Sequence, residues 1–189
     1  MIIGLTGLPR SGKDTVAQYL EFEYGFTRLA FADPLKQAAA VLLDRPLEQM
    51  HGKDGFDREA VLPEWGFSTR WFLQVLGTEC LRQQVRADFW IQRMRNVISE
   101  PGRIDGRFVI TDCRFPNEVD LVHEFGGQVV EVVRPGTRKS SHVSDAGVPS
   151  DRRLDNSRSI EELYSGVDYL ITLLSSHAAT TSRPARTQP

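Results

Sequence analysis

Cysteine, histidine and net charge are all scarce in this chain. Its 189 residues include two cysteines and four histidines. Cys80 and Cys113 do not form a metal-binding spacing and the histidines are scattered, so a metal-dependent hydrolase has little support. The formal net charge of −2 gives no electrostatic reason to expect a nucleic acid or a membrane surface as partner. No apolar run has the length of a membrane helix, and the first residues lack the basic segment of a signal peptide. We therefore expect a reduced, cytoplasmic protein.

Short apolar runs alternate with segments of helical periodicity through most of the chain. Strands are predicted over residues 2–6, 26–31, 107–111, 128–134 and 167–174. Helices are predicted over residues 12–24, 33–44, 68–85, 88–98 and 116–125, and Ser159 and Glu162 offer a capping box for one more short helix. Strands that alternate with helices indicate a parallel sheet with right-handed crossovers. The chain should therefore adopt an α/β three-layer fold, with helices flanking a five-stranded parallel sheet.

Three segments lack this regularity. Residues 45–67 combine mixed charge with three glycines and two prolines, which predicts an irregular insertion. Residues 135–157 are polar and rich in glycine, serine and arginine. The last stretch, residues 175–189, consists mainly of serine, threonine, alanine, proline and arginine. Such a composition cannot bury a core and predicts a disordered tail.

The most informative segment is GLPRSGKDT, which follows the first predicted strand and opens a helix. Gly7 and Gly12 bracket a loop whose backbone amides can surround phosphate oxygens, and the helix N-terminus adds its dipole. Lys13 supplies a cation for the bridging and γ-phosphate oxygens. In the general pattern G-x-x-x-x-G-K-[ST], the residue after the lysine reaches Mg²⁺. Here Asp14 takes that place and Thr15 comes one residue later; a carboxylate is also a competent ligand for a hard cation.

This loop predicts a P-loop NTPase-type fold that uses ATP. The predicted ATP-binding residues are Gly7, Arg10, Ser11, Gly12, Lys13, Asp14 and Thr15. A glycine-rich turn without a ligand is the ordinary alternative. The full spacing of the motif between a strand and a helix makes that alternative the weaker one.

A second candidate group follows the third predicted strand. Asp112 lies at the carboxyl end of that strand, where ligands bind in open α/β sheets. It could orient Mg²⁺ or its waters, and Arg114 could bridge the donor and acceptor phosphates. An ordinary Asp-Arg pair that caps the following helix would leave the same pattern in the sequence.

Polar residues also recur at helical spacing before that strand. Arg70, Gln74, Thr78 and Arg82 are four residues apart and form one stripe if the helix is continuous. Two arginines and an amide suit recognition of a phosphate with a base or sugar, although a solvated helix face would look alike. The polar segment after the fourth strand holds several arginines, Arg138 among them. They could form a cationic flap that closes over the phosphates, or a charged surface loop.

Several segments together match a known family. The chain resembles the deoxynucleoside monophosphate kinases of tailed bacteriophages, which are members of the nucleoside-monophosphate-kinase-like P-loop group. The matching segments are S-G-K-D-T (11–15), F-A-D-P-L-K (31–36), L-Q-V-L-G-T-E (73–79) with Arg82, D-F-W (88–90), V-I-T-D-C-R-F-P-N-E (109–118) and G-G-Q-V-V-E-V-V-R-P (126–135). They cover most of residues 1–174 in matching order. Asp14, which departs from the general loop pattern, agrees with this family.

The resemblance implies transfer of the ATP γ-phosphoryl group to a deoxynucleoside monophosphate, with Mg²⁺ as the metal. The acceptor phosphate is already anionic, so catalysis would rest on alignment and charge neutralisation. The predicted catalytic residues are Lys13, Asp112, Arg114 and Arg138, and the predicted metal ligands are Asp14, Thr15 and Asp112. The predicted acceptor site comprises Asp33, Lys36, Arg70, Gln74, Thr78, Arg82 and Trp90.

The resemblance also implies a domain plan. Residues 1–174 would form a single kinase domain with a core of residues 1–32 and 99–174. Residues 33–98 would form an acceptor-binding helical insertion, and residues 135–157 a lid.

Two other readings stay open. Phosphomevalonate and dephospho-coenzyme-A kinases share parts of the core pattern, and a base pocket with stacking aromatic side chains would separate them from a nucleotide kinase. Trp65, Trp71 and Trp90 are available, although tryptophans are more often simple core residues. A nucleotide-binding regulatory module without turnover would carry the same loop. The sequence predicts a small-molecule substrate, no nucleic acid and no membrane partner, and it leaves open the accepted bases, the rejection of ribose and a homodimer.

Overall fold

Five strands pair in parallel at the centre of the molecule. A computed structural model describes residues 1–103, 106–137 and 147–181. The strands are β1 (Ile2–Thr6), β2 (Thr27–Leu29), β3 (Val61–Leu62), β4 (Phe67–Ser68), β5 (Phe108–Ile110), β6 (Gln128–Val133) and β7 (Arg152–Asp155). The main sheet has the order β2-β5-β1-β6-β7 with every pair parallel, and β3 and β4 form a separate antiparallel pair. The predicted five-stranded parallel sheet is confirmed.

Helices cover both faces of this sheet. They are α1 (Lys13–Tyr24), α2 (Asp33–Leu42), α3 (Leu47–His51), α4 (Thr69–Gln74), α5 (Phe89–Ile98), α6 (Pro116–Glu124) and α7 (Ile160–Thr181), and a π-helical segment (Val75–Val85) continues α4. One core lies between the sheet and α2, α5 and α6, and a second lies between the sheet and α1 and α7. No helix within the described ranges combines the length and the apolar character that a membrane crossing needs.

The two cores explain why β1 is buried throughout. A strand buried on both faces of a parallel sheet has no polar side, and all of β1 is buried. Ile2 belongs to the first core, whereas Ile3 and Leu5 belong to the second, as the alternation of side chains along a strand requires. The loop that follows β1 therefore starts from the rigid centre of the sheet.

The prediction of a strand over residues 167–174 is wrong. These residues lie in α7, where the buried side chains recur three or four positions apart. Those buried side chains are Leu163, Val167, Leu170, Ile171 and Leu174. The predicted capping box is present and starts the helix: the Glu162 amide donates to Ser159 Oγ (3.2 Å) and the Ser159 amide donates to Glu162 Oε2 (3.2 Å).

The fifth strand of the sheet is instead β7, inside the segment predicted as a lid. Its four residues are mostly polar, and only Leu154 is buried. An edge strand pairs on one side only, so charged side chains are tolerated there and the apolar pattern that marks a buried strand is missing.

Three further features differ from the predictions: the end of α7, the content of the insertion and the type of one helix. Helix α7 continues to Thr181, so the prediction of disorder is wrong for residues 175–181, while residues 182–189 lie outside the described ranges. The insertion at residues 45–67 is not wholly irregular, because it contains α3 and the β3–β4 pair. The helix predicted over residues 68–85 changes to wider π-helical turns after Gln74. There the Trp90 indole Nε1 donates to the Gly77 carbonyl oxygen (2.9 Å).

Candidate active site

The loop between β1 and α1 has a backbone shape that few residues can adopt. Gly7, Arg10 and Gly12 all have positive φ angles, of 132°, 63° and 104°. At Gly7 a Cβ atom would lie 2.4 Å from the carbonyl oxygen of Val132 on β6. The backbone of β6 therefore packs so closely against the start of the loop that no side chain fits at position 7. Such a turn before a helix N-terminus is suited to hold phosphate oxygens.

The Lys13 side chain lies against this loop. Its Nζ donates to the carbonyl oxygens of Gly7 and Leu8, both at 2.8 Å, and it lies 3.5 Å from Ser11 Oγ. Ser11 is buried, and its amide donates back to the Leu8 carbonyl oxygen (3.2 Å). The ammonium group is thus held at the mouth of the loop, close to where a phosphate would bind.

Sequence reasoning missed Asn156, which supports the loop from the end of β7. Its Nδ2 donates to the Ser11 carbonyl oxygen (2.8 Å), and its amide donates to the Val133 carbonyl oxygen (2.8 Å). A Cβ atom at Gly12 would lie 2.2 Å from this Nδ2. Asn156 lies in a polar segment without periodicity, so no local pattern could identify it.

The Asn156→Ala variant should bind ATP more weakly. It removes the hydrogen bond to Ser11 and leaves the loop less constrained. We therefore expect the KM for ATP to rise about tenfold, which corresponds to the free energy of one lost hydrogen bond. The KM for the second substrate should change less than about twofold. Steady-state kinetics measure both constants. Asn96→Ala is the matched control, since Asn96 accepts its hydrogen bond from Gln92 on the exposed face of α5. Equal changes in both KM values would contradict this role.

Asp14 has a cationic neighbour that the sequence did not indicate. Its exposed carboxylate forms an ion pair with Arg28 on β2, and Thr15 follows in the same first turn of α1. A carboxylate beside a phosphate site needs a compensating positive charge. Arg28 supplies part of that charge here.

Asp112 links two elements of the site. Its Oδ1 accepts the Phe31 amide (2.8 Å) and its Oδ2 accepts the Ala32 amide (2.9 Å), so the carboxylate at the end of β5 holds the start of α2. It does not cap the helix after Pro116, because that role falls to Glu118. Each carboxylate oxygen has a second lone pair, and Asp112 therefore remains able to bind a metal or its waters.

A cavity of about 130 Å³ joins these parts. It is lined by Thr6, Gly7, Leu8, Pro9, Lys13, Asp112, Cys113, Arg114, Glu131, Gly147 and Val148. The structure thus brings together three of the four predicted catalytic residues: Lys13, Asp112 and Arg114. Arg138, the fourth, lies outside the described residues, as do residues 139–146 of the predicted lid. Cys113 is buried and desolvation raises the pKa of its thiol well above the ordinary value, which agrees with a packed side chain.

A second set of cations lies on the α2 side of the site. Burial lowers the pKa of Lys36, whereas the charges of Asp112 and Asp33 act in the opposite direction. Lys36 Nζ lies 3.3 Å from His51 Nδ1 and 4.0 Å from Asp33 Oδ1. Burial also lowers the pKa of His51, with the charge of Lys36 adding to the effect. The predicted residues Asp33 and Lys36 are therefore together, next to Asp112.

Arg58, which the sequence reading missed, belongs to this cationic set. Burial lowers the pKa of its guanidinium, and the nearby positive charges of Arg70 and Arg114 lower it further. Its NH1 donates to the Met50 carbonyl oxygen (3.4 Å), and Arg70 Nε lies 3.2 Å from Glu59 Oε1. Arg58 therefore lies close enough to Arg70, and to Arg114 from a distant part of the chain, for their charges to act on it. Arg58 lies in the insertion predicted as irregular, where spacing carries no signal.

The other members of the predicted polar stripe face the protein interior. Gln74 is partly buried, and Thr78 and Arg82 are buried. Arg82 forms an ion pair with Glu118, and buried Trp90 binds the Gly77 carbonyl oxygen. A solvated helix face is thereby excluded for Thr78 and Arg82.

The described arginines of the predicted lid segment lie along the β6–β7 edge. Arg152 Nε donates to Gln128 Oε1 (3.2 Å), and Arg153 Nε lies 3.8 Å from Glu131 Oε2. Arg158, which follows the segment and precedes α7, pairs with Glu162 in the first turn of that helix.

The site has few acidic ligands. Across the residues that the structure describes, no three His, Cys, Asp or Glu side chains are grouped so as to hold a metal ion. Mg²⁺ commonly keeps several waters and takes only one or two carboxylates together with substrate phosphates. Asp14, Thr15 and Asp112 provide hard oxygen donors near the loop, and this donor set fits magnesium in that mode.

Sequence comparisons with known proteins agree on one family. Residues 49–167 match the model of a family described as deoxynucleotide monophosphate kinase. A protein of Acanthamoeba polyphaga mimivirus provisionally named as a deoxynucleotide monophosphate kinase is 33% identical over 88% of this chain and 94% of its own. The deoxynucleotide monophosphate kinase of Escherichia phage RB69 is 24% identical over 90% of this chain and 99% of its own. Among solved structures, shikimate kinase from Aquifex aeolicus is 12% identical and superposes with a TM-score of 0.49 over 95% of this chain and 99% of its own.

Proposed function

Because this chain belongs to the deoxynucleotide monophosphate kinase family, we propose that it transfers the γ-phosphoryl group of ATP to a deoxynucleoside monophosphate. An oxygen of the acceptor 5′-phosphate attacks the γ-phosphorus, the bond from that phosphorus to the β–γ bridging oxygen breaks, and ADP leaves. The products are ADP and a deoxynucleoside diphosphate. The acceptor oxygen is already anionic near neutral pH, so the reaction needs alignment and charge neutralisation more than a base.

One observation carries the proposal: Lys13 of the phosphate-binding loop, Asp112 and Arg114 line one cavity, and Arg58 lies close enough to Arg114 and Arg70 for their charges to act on it. Lys13 and the loop provide the donor side. Arg58, Arg70 and Arg114 provide a second group of positive charges, in which Arg70 also pairs with Glu59. Two phosphate-binding sites facing each other are what transfer between two phosphorylated nucleotides requires.

On the donor side the loop binds the ATP phosphates, and Lys13 neutralises charge on the β- and γ-phosphoryl oxygens. Asp14, Thr15 and Asp112 would hold Mg²⁺, which supplies charge compensation between the β- and γ-phosphates when bound. Arg114 lines the cavity beside Lys13 and Asp112. Its guanidinium would meet the phosphoryl group that is being transferred.

On the acceptor side, Arg58 and Arg70 would hold the 5′-phosphate through charge-assisted hydrogen bonds. Asp33 and Lys36 follow at the start of α2, whose position Asp112 fixes. Gln74, Thr78, Arg82 and Trp90 would then support the acceptor lobe rather than contact the phosphate. The named relatives come from viruses, so we propose the cytoplasm of an infected host as the place of action. A homodimer stays a prediction.

A single assay tests the assignment. ADP release is followed by a coupled enzyme reaction with Mg-ATP and each common deoxynucleoside and ribonucleoside monophosphate in turn. We expect turnover with at least one deoxynucleoside monophosphate. Turnover only with a different alcohol or phosphate would favour another small-molecule kinase, and ATP binding without transfer would favour a regulatory module.

Arg58 gives a sharper prediction about the acceptor side. Arg58→Ala should raise the KM for the deoxynucleoside monophosphate about 10- to 100-fold, the value of a hydrogen bond to a charged group, because a guanidinium that binds the 5′-phosphate is lost. The KM for ATP should change little. Arg45→Ala is the matched control, since Arg45 lies in the same insertion and pairs with Glu64 on the surface. An unchanged acceptor KM in a folded Arg58→Ala protein would remove Arg58 from the site.

A further inference from the structure

A buried ion pair joins the π-helical segment to α6. Arg82 on the π-helical segment pairs with Glu118 on α6, and Glu118 is 2% exposed. Neither residue lines the cavity next to the phosphate-binding loop. The proposed chemistry therefore does not use this pair directly.

The second oxygen of Glu118 reaches the active-site loop. Glu118 Oε2 accepts the Arg114 amide (2.7 Å) and the Phe115 amide (3.1 Å), while Oε1 binds Arg82. A single carboxylate thus fixes both the backbone of Arg114 and a side chain from the acceptor lobe. Hydrogen bonds from backbone amides to a carboxylate are short and directional, so they define where the Arg114 side chain starts.

Arg82 is itself held tightly on the other side. Its NH1 donates to Asn117 Oδ1 (3.0 Å) and to the Ala87 carbonyl oxygen (3.4 Å). Its guanidinium carbon lies 3.9 Å from the centre of the Phe115 ring, within the range of a cation–π contact. The Phe115 ring therefore packs against the Arg82 guanidinium, and the Arg114 amide binds Glu118, the ion-pair partner of Arg82.

This arrangement is poorly explained by stability alone. A buried ion pair gains little over well-packed apolar residues because both charges lose their hydration. Burial raises the pKa of Glu118 to about 7, and the negative charge of Asp112 acts in the same direction, whereas the Arg114 and Phe115 amides and the charge of Arg82 oppose it. In the described part of the structure, Arg82 Nε is buried without a hydrogen-bond partner. Burying both charges costs free energy, and the oxygen of Glu118 that does not bind Arg82 accepts the Arg114 amide.

We propose that Glu118 is a positioning residue for phosphoryl transfer: it holds the Arg114 backbone in place and, through Arg82, ties that position to the π-helical segment of the acceptor lobe. The inference rests on the proposed function, because it assigns to Glu118 an effect exerted through Arg114. Binding of the acceptor against the lobe and placement of Arg114 are then coupled by one carboxylate.

The test introduces Glu118→Gln into the wild-type protein and into an Arg114→Ala variant. The glutamine keeps an oxygen acceptor and the side-chain shape but loses the charge. In the wild-type background we expect kcat to fall about 10- to 100-fold, the cost of a small misplacement of a reacting group, with both KM values within about threefold. In the Arg114→Ala background the same substitution should lower kcat less than about twofold, because the group it positions is already gone.

The matched control is Glu124→Gln, on the same helix as Glu118; it removes an exposed ion pair with Arg95 on α5 and should leave kcat unchanged. Thermal unfolding of each variant reports its stability. If Glu118→Gln alone does not fold, the double variant Arg82→Met, Glu118→Gln removes both buried charges, and its kcat is compared with and without Arg114→Ala in the same way.

The outcomes separate the two proposals. If the wild-type protein phosphorylates no deoxynucleoside monophosphate, the proposed function fails and this inference fails with it. If the wild-type protein is active and Glu118→Gln keeps its kcat, or loses the same factor in both backgrounds, only the role of Glu118 is overturned.

Discussion

The Lys13→Ala variant is expected to lose about a thousandfold or more in kcat, the scale of removing a group that stabilises transition-state charge. The ammonium group already lies 2.8 Å from two carbonyl oxygens of the loop, so it can reach a phosphate held there with little movement. Alanine leaves the negative charge on the bridging and γ-phosphoryl oxygens without that neutralisation. Initial rates at saturating Mg-ATP and deoxynucleoside monophosphate measure the loss.

The fold should tolerate this substitution. Lys13 is only partly buried and its bonds are to partly buried loop carbonyls outside the helices and strands, so the circular-dichroism spectrum should be unchanged. Lys53→Ala, at an exposed lysine in the insertion, is the control and should keep full activity. A folded Lys13→Ala protein with undiminished turnover would remove this lysine from the mechanism.

The second large effect is expected at Gly7. In the Gly7→Ala variant the new Cβ would meet the Val132 carbonyl oxygen at 2.4 Å, at a φ angle of 132°. A backbone carbonyl in the neighbouring strand cannot rotate away, so the sheet and the loop must both shift. We expect a loss of about 2–5 kcal/mol in the free energy of unfolding, from strain and overpacking together. The shift of the urea midpoint at constant slope measures it.

Gly126→Ala separates the two causes of this loss. Gly126 also has a positive φ angle, of 69°, but a Cβ there would meet nothing within 4 Å. Only the conformational strain remains, which is worth about 1–2 kcal/mol. If both alanine variants lose the same free energy, the contact with Val132 is not the reason that position 7 is a glycine.

Sequence alone predicted the parts of this molecule whose signal is local. The phosphate-binding loop is a contiguous motif between a strand and a helix. The buried strands β1, β5 and β6 are apolar because both faces of the sheet are covered. Asp112 could be placed at the edge of the sheet because it directly follows a strand. Its hydrogen bonds to the amides before α2 could not be foreseen, since they join residues that are distant in the sequence.

What the sequence missed depends on contacts between distant segments. Strand β7 is polar because it lies at an edge, and residues 167–174 contain the apolar and β-branched residues of a strand although their burial is helical. Arg58 and Asn156 both lie in segments without periodicity. Asn156 contacts Ser11, which is far away in the chain, and the charges that act on Arg58 include that of the distant Arg114.

The position of β1 in the sheet has a consequence for how the protein is made. The phosphate-binding loop is synthesised before β5 and β6, the strands with which β1 pairs, and before Asn156, which donates to the Ser11 carbonyl oxygen. Until β6 has been synthesised β1 lacks one of its two neighbouring strands, and until Asn156 has been synthesised the loop lacks the hydrogen bond to Ser11. Since domains generally fold as units, we expect ribosome-bound chains that end before β7 to show no ATP-dependent resistance to proteolysis. Full-length chains should acquire it in one step.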